Sequence, residues 1–217
     1  MSPRPRTVED SAILEAAVTV IRRIGPERMT LADVGEAAGL SAATLVQRFG
    51  SKRDLMLSVL KFTTAGLGHR FESAISSSDS PLEAIFAAAM DRAPDAGPEE
   101  VANMLAFYLS DFGDPDFRAL ALENSSNAVA GFKKMLDEAV AEGELAESYV
   151  DTTQLAETIY SLVMGTLLTW TVKGEGTYRA KIRSELDVLL RPFSRGPRKA
   201  GSSTPVTKPS AASTVFV

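Results

Sequence analysis

Between Thr30 and Asp54 the chain carries three helix starts and two helix stops. Thr30, Ser41 and Ser51 are each placed to accept a hydrogen bond from the turn that follows, and Gly39 and Gly50 are placed to end what precedes them. A stretch punctuated this densely folds neither as a strand nor as one long helix. It has to form short helices joined by tight turns. The apolar residues agree. Leu31, Val34 and Ala38 make a stripe on a helix running from Thr30 to Gly39, and Leu45 and Phe49 sit four apart on one running from Ser41 to Phe49-Gly50. Upstream, Ile13, Ala17, Val20, Ile21 and Ile24 mark a helix with Thr7 as its expected cap and Gly25-Pro26 as its end. Ser51-Lys52-Arg53-Asp54 resembles a capping box with Asp in place of Glu, opening a fourth helix that runs to about Ile75.

The same punctuation continues. Ser80-Pro81-Leu82-Glu83 starts a helix that ends before Pro94, and Pro98 starts one that reaches Leu109. Asp114-Pro115 opens a long helix to about Glu142, closed by Gly143. Asp151 caps Thr152 to Lys173, and Thr177 to Leu190 is the last, stopped by Pro192. No strand or internal repeat is convincing, so the expected fold is all-α. An N-terminal three-helix helix-turn-helix domain (7–55) precedes an all-helical ligand-binding and dimerisation domain (56–193), with a flexible arm at 1–6 and a disordered tail at 194–217.

Composition limits the chemistry. The chain has no cysteine, which removes disulfides, thiolate metal sites and cysteine nucleophiles. His69 is its only histidine, nothing around it resembles a nucleophile elbow, and no glycine-rich phosphate loop is present. The reading is therefore a non-enzyme without metal or cofactor. No apolar run approaches the roughly 20 residues that span a bilayer, and Met1 to Arg6 does not read as a secretion signal. A cytoplasmic protein with no membrane partner is expected. The net charge of −5 is unevenly placed: residues 1–61 hold nine Lys/Arg against seven Asp/Glu, and the remainder is acidic. The N-terminal part thus tolerates a polyanion better than the rest.

In a helix-turn-helix the third helix enters the DNA major groove and shows its N-terminal residues to the bases. Here Leu45 and Phe49 anchor that helix from behind, leaving Ala42, Ala43, Val46 and Gln47 outward. Ser41, Thr44, Arg48 and Lys52 flank them within reach of phosphates. The methyl groups of Val46 and the two alanines suit thymine, and Gln47 suits adenine, so contacts to A·T pairs are expected. On pattern alone, Leu40 to Leu55 also fits a plain helical corner in a bundle.

The segment MTLADVGEAAGLSAATLVQRFGSKRDLMLSVL resembles the DNA-binding signature of TetR/AcrR-type transcriptional regulators. The ordered landmarks run from Ile13 to Leu60: Ala16-Ala17, Gly25, Thr30, Ala38-Gly39-Leu40-Ser41, Thr44-Leu45, Phe49 and Ser51-Lys52. The resemblance implies a homodimer on a palindromic double-stranded DNA operator. It implies that Thr30 binds phosphate at a helix start, that Thr44 contacts DNA, and that Lys52 contacts the backbone. The sequence departs from the pattern at Val46, where the family usually has tyrosine, and at Ala43, often glycine.

Regulators of this type keep a small-molecule effector cavity in the helical body, and Phe107, Tyr108, Asn124, Tyr160, Met164 and Trp170 are the candidates to line it. Along the Thr152–Lys173 helix, Thr158, Ser161, Gly165 and Thr169 share one face, opposite Tyr160, Val163, Leu167 and Trp170. The small face is assigned to a dimer contact, with Ile182 and Leu186 of the last helix completing it. Packing against a helix of the same chain is the alternative. The resulting expectation is a dimeric DNA-binding repressor, released from a palindromic operator by a small hydrophobic effector; the competing one is an all-helical dimeric small-ligand-binding module that does not read DNA specifically.

Overall fold

The computed structural model describes residues 8–91, 96–110, 113–146 and 151–194. The arm with Arg4 and Arg6, the expected Thr7 cap and the tail beyond Ser194 lie outside them. Among the described residues the helices are α1 (Asp10–Ile24), α2 (Leu31–Ala38), α3 (Ala42–Phe49), α4 (Lys52–Ser77), α5 (Pro81–Met90), α6 (Pro98–Leu109), α7 (Pro115–Ala141), α8 (Thr152–Lys173) and α9 (Tyr178–Leu190). There is no strand among them, only one isolated bridge between Leu145 and Ser194.

The expected caps account for most of these boundaries. Thr30, Ser41, Ser51, Ser80, Asp114, Asp151 and Thr177 each accept a backbone N–H of the first turn, satisfying a donor that would otherwise have no partner in the helix. α1 differs: it starts after Glu9, whose side chain makes no cap bond.

Two apolar clusters hold the chain. One surrounds the head and contains Ile13, Val20, Met29, Val34, Leu45, Leu55 and Leu60, together with Phe107 of α6 and Phe117 and Leu120 of α7. The head is therefore not built from its own residues alone, since α6 and α7 supply part of its core. The other cluster lies among α5, α7, α8 and α9, around Ile85, Phe132, Leu136, Ile159 and Ile182. α4 takes part in both, through Leu55 to Leu60 at one end and Ala74 at the other.

α8 reaches the length and hydropathy of a membrane-crossing helix, at 22 residues and a mean hydropathy of 1.2. Its apolar pattern is broken mainly by threonine and serine, so it does not read as an uninterrupted apolar run. Its buried residues, among them Leu155, Ile159, Val163 and Trp170, pack into the protein's own core.

Ile182 and Leu186 correct an expectation. Both are 0% exposed within this one chain, packed in the same cluster as α5 and α8. A side chain already enclosed by its own subunit has no surface left for a partner, so neither belongs to a dimer face.

Candidate functional site

The head is assembled around one close approach. Gly39 ends α2 in the left-handed conformation (φ 69°), and the Leu40 N–H donates to the Gly35 carbonyl at 2.7 Å. Gly35 lies inside α2, buried, where a Cβ would stand 2.7 Å from the Leu40 carbonyl oxygen and 3.3 Å from the Ala42 nitrogen. The turn into α3 thus runs directly over a glycine that the sequence reading left unremarked. The available signal was a glycine in the middle of a helical pattern, which costs about 1 kcal/mol relative to alanine unless packing requires it.

α3 is held from behind as expected. Leu45 is fully buried, and Leu40 and Phe49 pack half-buried against the head cluster. Truncating a side chain like Leu45 to alanine costs about 2–5 kcal/mol, so the helix cannot roll without losing its anchor. Its front carries Ala43, Val46 and Gln47, all exposed, with Ala42 and Thr44 at the margins. Val46 is 49% exposed, an isolated apolar side chain on a small front. Ser41 accepts the Thr44 N–H at 3.2 Å, and the two hydroxyls are 2.9 Å apart.

Thr30 and Lys52 lie at one edge. Thr30 is exposed, and its hydroxyl donates to Asp33 Oδ2 at 2.6 Å while accepting the Asp33 N–H. The Asp33 carboxyl is held below the usual carboxylate range, first by the Thr30 hydroxyl and then by the Thr30 N–H, with Arg23 and Lys52 adding attraction. Lys52 Nζ donates to the Glu27 carbonyl at 2.9 Å, which parks the ammonium beside the start of α2. Arg48 is placed differently from the expectation. Its guanidinium turns back on α1, donating to the Val8 carbonyl at 2.5 Å and to Asp10 at 3.1 Å, so it ties α3 to the start of α1.

Two cavities of the body gather residues expected to meet an effector. One, of about 380 Å³, lies among α6, α7 and α8 and gathers Tyr108, Asn124, Tyr160 and Met164 with Arg118 and Leu122. A second, of about 280 Å³, lies where α1, α4, α6 and α8 meet and shares Tyr108 and Met164 with the first. Phe107 and Trp170 line neither. Phe107 is fully buried in the head cluster, and Trp170 packs edge-on against Tyr178 at 6.0 Å and donates to the Gly176 carbonyl. Asn103 of α6 donates to the Arg22 carbonyl at 2.8 Å and so closes the end of α1. The small residues of α8 are arranged as read: Thr158, Ser161, Gly165 and Thr169 are all exposed, next to Leu168 at 53% and Val172 at 80%.

A family model described as bacterial regulatory proteins, tetR family, matches residues 13–59, the stretch that builds the head. The HTH-type transcriptional regulator BetI of Agrobacterium fabrum is 26% identical over 195 residues, covering 86% of this chain and 90% of that protein. The chain belongs to the TetR family. Solved structures of the same fold include a transcriptional regulator from Saccharomonospora viridis in complex with choline (19% identity, TM-score 0.72, 85% of this chain and 97% of that one). Another is FadR from Bacillus subtilis in complex with stearoyl-CoA (21% identity, TM-score 0.65, 83% and 97%). As a TetR-family protein the chain is a DNA-binding transcription regulator with a helix-turn-helix head, and the reading as a module that does not address DNA gives way.

Proposed function

We propose that this TetR-family regulator is a cytoplasmic homodimeric repressor, released from a palindromic operator when a small molecule occupies the helical body. The observation that carries this reading is the span of α4. It begins with Lys52 at the DNA-facing edge, and twelve residues on, about 18 Å along the axis, the Thr64 hydroxyl accepts a hydrogen bond from Asn124 at 3.1 Å. Asn124 lines the cavity among α6, α7 and α8. A ligand that changes the wall at Asn124 therefore acts on the helix that carries Lys52. It shifts the head only by as much as its affinities for the two arrangements differ.

On the DNA side, Ala42, Ala43, Thr44, Val46 and Gln47 face the bases and Thr30, Ser41 and Lys52 the phosphates. Arg48 works by holding α3 against α1, a positioning role. In the dimer, the outer face of α8 (Thr158, Ser161, Gly165, Thr169) meets its copy, with Leu168, Val172 and Val188 of α9 as its apolar part. The choline and stearoyl-CoA bound by the two structural relatives support a small-molecule effector without choosing one.

The test is a binding-site selection from random DNA followed by mobility shift at several salt concentrations. The selected sites should be inverted repeats with half-sites about one helical turn apart, or a multiple of it. Lys52→Ala should lower the salt slope by about one unit without changing the selected sequence. Selection of non-repeated sites, or a slope unmoved by Lys52→Ala, refutes this arrangement.

A further inference from the structure

The 380 Å³ cavity among α6, α7 and α8 has an uneven polarity that defines what fits it. Its walls are mostly apolar, with Leu109, Ala121, Leu122 and Met164 beside the two tyrosines. Among the described residues no carboxylate lines it, and the one charged group that does is Arg118. Arg118 is exposed at the rim, and its guanidinium makes no ion pair or hydrogen bond with the described residues, whereas Arg22, Arg48, Arg53, Arg70 and Arg183 are each paired.

A second, independent feature lies at the inner wall. Asn124 is 5% exposed. Its Nδ2 is spent on Thr64, while Oδ1 takes no hydrogen bond from the described residues. No fully enclosed side-chain polar atom of the described residues lacks a partner, so this oxygen opens onto the cavity. Arg118 and Asn124 lie on the same helix six residues apart, about 9 Å along its axis.

We propose that the cavity binds a compact aromatic carboxylic acid with a hydrogen-bond donor at its far end. Its carboxylate pairs with Arg118 at the rim, its ring lies between the apolar walls, and its donor reaches Asn124 Oδ1. A guanidinium and a carboxylate form a charge-assisted pair, and a buried amide oxygen rewards a ligand that supplies the missing donor. A quaternary ammonium ligand would meet the wrong charge at the rim. The proposal rests on this cavity being the effector site.

The probes are 4-hydroxycinnamate, cinnamate, which lacks the donor, and 4-hydroxycinnamyl alcohol, which lacks the anion. Titration calorimetry of the full chain should rank 4-hydroxycinnamate at least tenfold tighter than the alcohol and several-fold tighter than cinnamate. Arg118→Gln should weaken both acids about tenfold and leave the alcohol unchanged. Arg118→Glu should abolish the preference for acids. An alcohol that binds as tightly as the acid, an Arg118→Gln variant that keeps acid affinity, or no binding of any probe overturns the ligand class. Operator release is measured separately by mobility shift. Tight acid binding without release would leave the class standing and refute the effector reading, while release by an unrelated compound would uphold that reading with the class refuted.

Discussion

A methyl group on Gly35 would press on the backbone of the turn between α2 and α3, 2.7 Å from the Leu40 oxygen. Backbone cannot swing aside as a side chain does, so either the turn opens or α2 shifts. Gly35→Ala is expected to destabilise the protein by about 1–3 kcal/mol despite the better helix propensity of alanine. Operator affinity should fall further than the stability loss explains, because α3 is displaced from its anchor. Denaturant melts and mobility shifts on the same preparation check this, and a variant as stable as the parent would show that the turn yields cheaply. At this level the sequence was informative about chemistry and silent about partners. Ser41 and Thr44 are polar groups at the α3 start and Lys52 one beside the start of α2, but nothing in the string placed the Arg48 guanidinium on Val8 and Asp10. That pairing joins residues about 40 positions apart, and a polar side chain carries no periodic signal of its distant partner.

Among the helices, α8 separates its roles by face. One arc is buried by Ile159, Val163, Thr166 and Trp170, and the other leaves Ser161, Gly165, Leu168 and Val172 uncovered. Small residues let a second helix approach closely, and at Gly165 an added Cβ would meet no atom within 4 Å in the single chain. Gly165→Glu should therefore leave the subunit folded, with a circular dichroism spectrum and melting like the parent's, while sedimentation shifts it from dimer to monomer and operator affinity drops at least tenfold. A variant that stays dimeric would move the interface elsewhere. The helical period found both faces of α8, since burial on one side is written into its apolar spacing. It failed on α9, where Ile182 and Leu186 share the inner stripe: periodicity shows that a residue is buried but not whether its own chain or a partner does the burying.

For the molecule as a whole, long-range ion pairs fasten the parts. Arg53, near the start of α4, bonds to Asp114 and Asp116 at the start of α7 at 2.7 Å each, and Arg183 of α9 grips Glu83 of α5 with two 2.8 Å bonds. The carboxyls of Asp33, Glu83 and Asp137 all sit below their ordinary range, chiefly through hydrogen bonds from Thr30, Arg183 and Lys133 respectively. A depressed folded value means stabilisation that is complete above the unfolded carboxylate range and is lost as pH falls through the folded one. The melting temperature should thus be nearly flat from about pH 7 to 5 and drop between about pH 4 and 2. Arg183→Gln should shrink the drop, and a melting temperature that is insensitive to acid would contradict the assignment. Helix boundaries, the cap residues and the buried stripe of α3 were local properties, readable from spacing and side-chain type because each is decided within a turn or two of the chain. Which apolar residues enclose a cavity and which merely fill the core was decided by packing. Phe107 and Trp170 went to the interior, while Arg118 came to a cavity rim beside Tyr160, because only the crossing of α6, α7 and α8 determines where space is left.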